Sequence, residues 1–359
     1  MIYVGIDLGT YLCRFILAEN GNKKPTKNGK AGTIAGQEQT SIEDRFNVLS
    51  YNTCVVNFGN MEPGKAITKQ TIYRIERIFE KFKKYIDEHK GKKIVIKCVA
   101  TAALRYSPSA QEIIERVERK YKIKIEVIAP EHEIYLAALG CQDQIDNKAI
   151  VLDIGSGSTE IAYVTKNNNH IEVHDYISLD LGLINNGTTK EKRNQTLAEL
   201  DTFIKKYKNI RIICSKCNTL KIAYNYFHKK RDGSVEGQKF GLAELSKVVQ
   251  IFNKMDTNAL KKVPNIGAKK MRLIKCGLPW VHLIFKRIGI EHIILSEYGL
   301  KEGIILDMMN KTQHVSVNES ADKKIDMKQP AKKKRPWFLK RLAEKRKKQA
   351  QANQRGQDK

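Results

Sequence analysis

VGIDLGTYLCRFILA (Val4–Ala18) and VLDIGSGSTEIAYV (Val151–Val164) decide the fold. Each reads as an apolar strand, an aspartate, an apolar residue, a glycine, a small polar turn and a second strand. Asp7 and Asp153 lie about one domain length apart, so the pattern is a duplication at the scale of a domain rather than a short repeat. A glycine after the strand lets the chain reverse tightly and aims backbone N–H groups at a ligand. Several such donors in one turn cradle phosphate oxygens. A carboxylate at the strand end suits Mg²⁺, which takes hard oxygen ligands. Two facing copies would grip a phosphate chain from both sides. A single Asp-x-Gly would fit an ordinary hairpin; the matched pair favours the binding reading.

Around these two hairpins, strand-like and helix-like segments alternate, which points to an α/β protein. Residues 19–44 are polar and rich in Gly, Lys and Thr, and read as a loop. Ile72, Ile75, Ile78, Phe82 and Ile86 carry the spacing of an amphipathic helix. Strands are expected at 93–99, 123–128, 211–213 and 292–295, and helices at 110–120, 131–140, 243–252 and 300–309. Pro279 divides a further apolar stretch into two expected helices, 269–276 and 279–288. The expected domains are 1–130, 131–310 and a tail from 311, with the closing helix near 300–310 returning to the first.

Charge narrows the partners. The chain has 359 residues, with 65 Lys and Arg against 39 Asp and Glu, a net of +26. That balance calls for a polyanion: nucleic acid, polyphosphate, nucleotide or an anionic membrane surface. From Lys311 onward, 12 Lys and 4 Arg stand against 5 acids, so this segment alone carries +11. It reads as a largely disordered basic tail able to bind polyphosphate, RNA or anionic lipid, with a short basic helix from Pro336 to about Gln349. No apolar run is long enough to cross a bilayer. Seven scattered cysteines show no framework spacing, which suits a reducing, cytoplasmic setting.

Three segments between and after the hairpins carry further candidates. ATAALRYSPS (Ala100–Ser109) follows a strand and offers Arg105, whose guanidinium matches phosphate oxygens in pairs. A surface arginine at a helix start would look the same. IAPEHEIYLAALG (Ile128–Gly140) puts Glu131 and Glu133 in a first helical turn, where acids commonly serve the helix dipole. One of them facing a phosphate cleft could orient and deprotonate a water; His132 between them has no other support. Cys214-Ser-Lys-Cys217 lacks a second ligand pair for zinc, and coincidence outweighs a redox role. LSEYGLKEGIILD (Leu295–Asp307) reads as packing.

Taken together, these motifs resemble the exopolyphosphatase/guanosine pentaphosphate phosphatase (Ppx/GppA) family, in its short two-domain form. DIGSGSTE (Asp153–Glu160) is similar to its DIGGGSTE, YGLKEGIILD (Tyr298–Asp307) to its GLREG signature, and ATAALR (Ala100–Arg105) to its arginine segment. The resemblance runs from Met1 to about Asp307 and leaves the tail uncovered. It implies two duplicated ribonuclease-H-like, actin-like domains around a cleft, in the actin–sugar kinase–Hsp70 superfamily. By position it implies Glu133 as the catalytic base and Arg105 as the phosphate-gripping arginine. It puts Gly9, Thr10 and Arg14 on the first phosphate loop and Gly157 and Ser158 on the second. Mg²⁺ falls on Asp153, the Gly155 backbone and Glu160.

Departures from the family pattern are informative. The first loop reads DLGTYL rather than DIGSNS, so Tyr11 and Leu12 replace polar donors. PEHEI keeps only the second acid of a pair, Glu133. A glycine-rich turn where relatives seat a nucleoside is replaced by CSKCNT (Cys214–Thr219), and Lys270 and Arg272 stand at the late Arg and Asp positions. The implied activity is Mg²⁺-dependent release of terminal phosphate from inorganic polyphosphate, with guanosine pentaphosphate as the second substrate and homodimer formation open. A non-catalytic polyphosphate- or RNA-binding protein on the same fold is the alternative. An ATP-dependent kinase or chaperone fits less well.

Overall fold

β1 (Ile2–Leu8) and β2 (Leu12–Asn20) form the first hairpin, pairing Asp7 with Arg14. The computed structural model describes residues 1–21, 41–58, 66–167, 170–184, 189–207 and 209–321. Then come α1 (Ile42–Arg45), β3 (Phe46–Val55), α2 (Lys69–Asp87), β4 (Ile94–Ala100), α3 (Ala102–Arg105), α4 (Ala110–Tyr121), β5 (Ile125–Val127) and α5 (Pro130–Gly140). The second hairpin is β6 (Lys148–Ile154) with β7 (Thr159–Asn167), continued by β8 (His170–Leu179), α6 (Lys190–Lys206), β9 (Ile212–Cys214) and α7 (Asn218–Phe227). β10 (Lys239–Gly241), α8 (Leu242–Lys254), α9 (Thr257–Lys262), α10 (Gly267–Ile288), β11 (His292–Leu295) and α11 (Leu300–Ala321) complete the order.

The duplication is visible in the topology itself. One sheet runs β3-β2-β1-β4-β5; the other runs β8-β7-β6-β9-β11-β10. In both, the hairpin and its third strand are antiparallel, while the fourth strand lies parallel to the first. The fifth strand, β5 or β11, is again parallel to the fourth. β10 is an antiparallel edge added to the second copy. This is the α/β, doubly ribonuclease-H-like architecture expected from the sequence.

Burial explains the central strands. All seven residues of β1 are buried, which is why it reads as a near-continuous apolar run around Asp7 rather than an alternating one. α2 covers the outer face of that sheet with Ile72, Ile75, Phe79, Phe82 and Ile86, and leaves Tyr73 exposed. Phe82 stacks on Phe15 of β2 with ring centroids 4.7 Å apart. Each fully buried side chain of this kind contributes about 2 kcal/mol.

Between the two sheets lie α5 and α11. A single apolar cluster joins Tyr3 and Val99 of the first sheet, Val151 and Ile213 of the second, Leu136 of α5 and Ile304 of α11. The helices meet backbone to backbone. A Cβ on Gly303 would sit 1.8 Å from the Leu136 carbonyl oxygen, and one on Gly140 would sit 2.0 Å from that of Gly299. The glycines of YGLKEG therefore do pack, and they set α11 close enough for its first turn to reach the cleft.

Some expectations are corrected. Residues 267–288 form one helix with Pro279 inside it, not two helices. Apolar residues on both sides of Pro279, Leu273, Leu278, Val281 and Phe285, enter the same core, and that burial outweighs the missing N–H. β8, α6 and α7 were not anticipated; their apolar residues are too sparse or too short in run to show a period. The closing helix extends past 309 to Ala321, so the tail begins helical. The chain separates into a body, Met1–Lys311, and a C-terminal unit, Thr312–Lys359. Most of the 19–44 loop and the 336–349 basic helix lie outside the described residues. Among the described residues, no helix is long and apolar enough to cross a membrane.

Candidate functional site

Register puts the two hairpin aspartates at equivalent places with different partners. Asp7 faces Arg14 across β1 and β2, and the pair makes a 2.7 Å ion pair. Asp153 faces Glu160 across β6 and β7. One hairpin thus ends in a carboxylate balanced by a cation, and the other in two acids with no cation of their own.

The turns between these strands touch. An added Cβ on Gly157 would lie 2.3 Å from Thr10 Oγ1, so only glycine lets the two loops close on each other here. Both loops are held from behind by their carbonyls. Val56 and Asn57 donate to the Tyr11 carbonyl, while Leu183 and Ile184 donate to those of Gly155 and Ser156. Gly9 spends its own N–H on the Leu12 carbonyl, 3.0 Å away. A cleft between the loops is lined by Asp7, Thr10, Arg14, Asp153, Gly157 and Ser158 on its hairpin walls.

α5 supplies the third acid. Pro130 starts this helix, which turns Glu133 inward, 4% exposed, and leaves Glu131 in solvent. Single carboxylate oxygens of Glu133, Asp153 and Glu160 all lie within 4.8 Å of one another. His132, on the next face, is surrounded by Lys97, Glu126, Asp307 and Lys311 and takes no part; burial and Lys97 lower its basicity.

Arg105 sits at the end of α3 and holds the acid cluster from one side. Its Nη2 donates to Glu133 Oε2 and its Nε to the Ile128 carbonyl, 3.0 Å away. Nη1 is buried with no hydrogen-bond partner. On the other side, Ser215 donates to Asp153, and Ser178 donates to Glu160 Oε1 at 3.0 Å. Glu160 Oε2 is buried without a partner.

Crowding of buried acids raises their affinity for protons. Burial pushes the Glu133 carboxyl well above the usual range, and Glu160 adds to this while Arg105 opposes it. Burial also lifts Glu160 to about 7, against the pull of Arg105. Asp153 is raised by burial and partly restrained by Ser215 and Arg14. A divalent cation would relieve all three at once and would give the orphaned Glu160 oxygen a partner, so the donor set, three hard oxygens, fits Mg²⁺.

Two lysines complete the cleft, and the sequence alone did not single them out. Lys216 comes from the CSKC turn and Lys301 from the first turn of α11. Lys301 is 4% exposed, pairs with Glu302, and lies 4.9 Å from the Tyr51 ring centroid. Burial, with Lys216 and Arg14 beside it, pushes its ammonium well below the usual lysine range. Three basic side chains, Arg14, Lys216 and Lys301, thus line the same cleft as Glu133 and Asp153. Glu302 also caps α11, accepting the Gly299 N–H at 3.1 Å. The hint in the sequence was a charged pair, Lys301-Glu302, inside a segment otherwise built for packing. Ser178 and Ser215 carried no such hint, because only the sheet pairing brings them beside the acids.

All ten residues expected from the sequence are accounted for. Thr10, Arg14, Glu133, Asp153, Gly155, Gly157 and Ser158 line the cleft with Gly9, while Arg105 and Glu160 reach its acids from behind.

Comparisons with known proteins bear on the family and the fold. The Ppx/GppA phosphatase family matches residues 39–312. A Ppx/GppA protein of Aquifex aeolicus superposes with a TM-score of 0.65 at 22% identity, covering 88% of this chain and 99% of that one. An exopolyphosphatase from Cytophaga hutchinsonii gives 0.70 at 18% identity, covering 87% and 98%. A bifunctional 3-dehydroquinate synthase/phosphatase of Fusobacterium nucleatum is 28% identical over 184 residues. That match covers 50% of this chain and 25% of the Fusobacterium protein, so the chain aligns with about a quarter of that relative's length.

Proposed function

The chain belongs to the Ppx/GppA phosphatase family, and from that premise we propose that it releases terminal phosphate from inorganic polyphosphate in a Mg²⁺-dependent hydrolysis. The observation that carries this reading is the cluster of Glu133, Asp153 and Glu160 beside the two hairpin turns.

Glu133 takes the proton of the attacking water. Its raised proton affinity makes it a stronger base than a solvated carboxylate, and Arg105 keeps it aimed and opposes its premature protonation. The unpartnered Nη1 of Arg105 is available to an oxygen of the terminal phosphate. Asp153 and Glu160, fixed by Ser215 and Ser178, would hold Mg²⁺ with the Gly155 backbone. When bound, the ion would neutralise charge on the transferred phosphoryl group and its leaving oxygen. Thr10, Gly157 and Ser158 line the position of that group, and Gly9 sets the shape of the first turn. Arg14, Lys216 and a Lys301 that a bound polyanion would help to protonate would neutralise the rest of the chain, which asks for several consecutive phosphates rather than one.

The CSKCNT turn supports polyphosphate over nucleotide substrates. A lysine now stands in a turn that would need glycines to approach a ribose closely, so ATP and guanosine pentaphosphate rank below an unbranched phosphate chain. The test is free-phosphate release by the purified chain with Mg²⁺, on polyphosphate and on guanosine pentaphosphate. Faster release from polyphosphate supports the reading. Binding of polyphosphate with no release would instead identify a non-catalytic polyanion-binding protein.

A further inference from the structure

The Cys214–Cys217 turn remains unused by this chemistry. β9 ends at Cys214, and Cys217 is the N-cap of α7. The two thiols hydrogen-bond each other. The backbone around them is fixed: Ser215 N–H donates to the Leu152 carbonyl at 2.8 Å, Lys216 N–H to that of Tyr298 at 3.0 Å, and Ser296 N–H to that of Cys214 at 3.0 Å. Among the described residues, no cluster of metal-ligating side chains includes either cysteine, which leaves zinc without a ligand set. Both thiols are free.

We propose that Cys214 and Cys217 are a reversible dithiol–disulfide pair, and that its oxidation acts on the Ser215–Lys216 wall of the cleft.

The two sulfurs have unlike surroundings. Cys214 is fully buried, whereas Cys217, at the start of α7, keeps 8% exposure. The bond from Cys214 lowers Cys217, whereas the bond from Cys217 and burial raise Cys214 well above the usual thiol range. Cys217 is therefore the attacking thiolate and Cys214 the resolving thiol. With hydrogen peroxide as oxidant, the Cys217 sulfur attacks one peroxide oxygen, the O–O bond breaks, and hydroxide leaves. This gives the sulfenic acid. The Cys214 sulfur then displaces that oxygen, which departs as water with the Cys214 proton. Two thiols and one peroxide give one disulfide and two waters.

A disulfide brings the sulfurs to about 2.05 Å, well inside their hydrogen-bonded separation. The turn between them must tighten, and its two residues are the ones that serve the cleft. Ser215 holds Asp153, and Lys216 stands beside Lys301. Oxidation would move both together and weaken the grip on a phosphate chain.

The experiment treats the full chain with hydrogen peroxide, alkylates the remaining thiols and maps the peptides. The expected result is a Cys214–Cys217 linkage, reversed by dithiothreitol and lost in Cys217→Ser, whose hydroxyl suits the N-cap position of α7. Linkage through other cysteines with Cys214 and Cys217 still alkylated, or no linkage, overturns the proposal. A second arm titrates polyphosphate into reduced and oxidised protein. Binding should weaken about tenfold on oxidation in the wild type and stay unchanged in Cys217→Ser. An unchanged wild-type midpoint overturns the link to the cleft. This arm rests on the polyphosphate reading; if the reduced protein binds none, that reading fails while the peptide map still decides the dithiol.

Discussion

Glu133→Gln separates catalysis from architecture more cleanly than any other single change. The glutamine keeps the length and one carbonyl oxygen to accept the Arg105 Nη2 proton, so the guanidinium loses a charge partner but not its hydrogen bond. The change also removes a like charge from beside Glu160. Breaking a buried ion pair is costly, but here repulsion among three acids is relieved at the same site, so stability should shift by only about 1 kcal/mol. The rate should respond far more. Loss of a general base costs roughly 10²–10⁴-fold, equivalent to about 3–5 kcal/mol on the barrier. Phosphate release from polyphosphate at saturating Mg²⁺ gives kcat and KM, and thermal melting checks the fold. A large fall in kcat with KM and melting temperature nearly unchanged is the expected outcome. A kcat within about threefold of wild type, in a folded variant, would remove Glu133 from the chemistry.

Other outcomes follow from the same geometry. The Glu160 carboxyl is raised from its ordinary 4.5 to about 7, so the folded protein keeps a proton that the unfolded chain releases. Stability of the metal-free protein should therefore fall as pH rises from 4.5 to about 7 and then level off, and Mg²⁺ should flatten that slope; chemical denaturation across pH would show an opposite trend if the reasoning fails. Lys216→Ala and Lys301→Ala should raise KM for polyphosphate more than they lower kcat, and kinetics showing the reverse would place these lysines elsewhere in the reaction. Gly303→Ala should destabilise the protein by about 3 kcal/mol or more, because the new Cβ meets the Leu136 carbonyl at 1.8 Å; an unchanged melting temperature would contradict the close helix crossing. Removing residues 322–359 preserves α11 and should leave turnover on short chains intact while weakening long-chain binding and its salt dependence; identical salt slopes would refute an anchoring role.

The duplicated hairpins were legible because their pattern is local: strand, acid, glycine, turn and strand follow one another in each copy. Glu133 and Arg105 were legible by resemblance, since nothing in PEHEI or ATAALR says which side of a helix faces a cleft. What stayed hidden depends on distant pairing. Ser215 reaches Asp153 because β9 lies parallel to β6, and Ser178 reaches Glu160 because β8 pairs with β7. Lys301 was hidden by its glycines, which signalled packing correctly and masked the charge between them. Pro279 misled because a local rule was outweighed by burial on both sides of it.

The central claim is that Asp153 and Glu160 hold a divalent ion next to Glu133, against a phosphate in the cleft that the two hairpin turns line. A crystal grown with Mn²⁺, which scatters anomalously where Mg²⁺ does not, and with pyrophosphate tests it directly. The account predicts an anomalous peak beside the three carboxylates, in contact with Glu160 Oε2, and phosphate density in the cleft lined by Thr10, Gly157 and Ser158. An anomalous peak at some other site, or a phosphate bound away from both turns with the three acids unliganded, would contradict it.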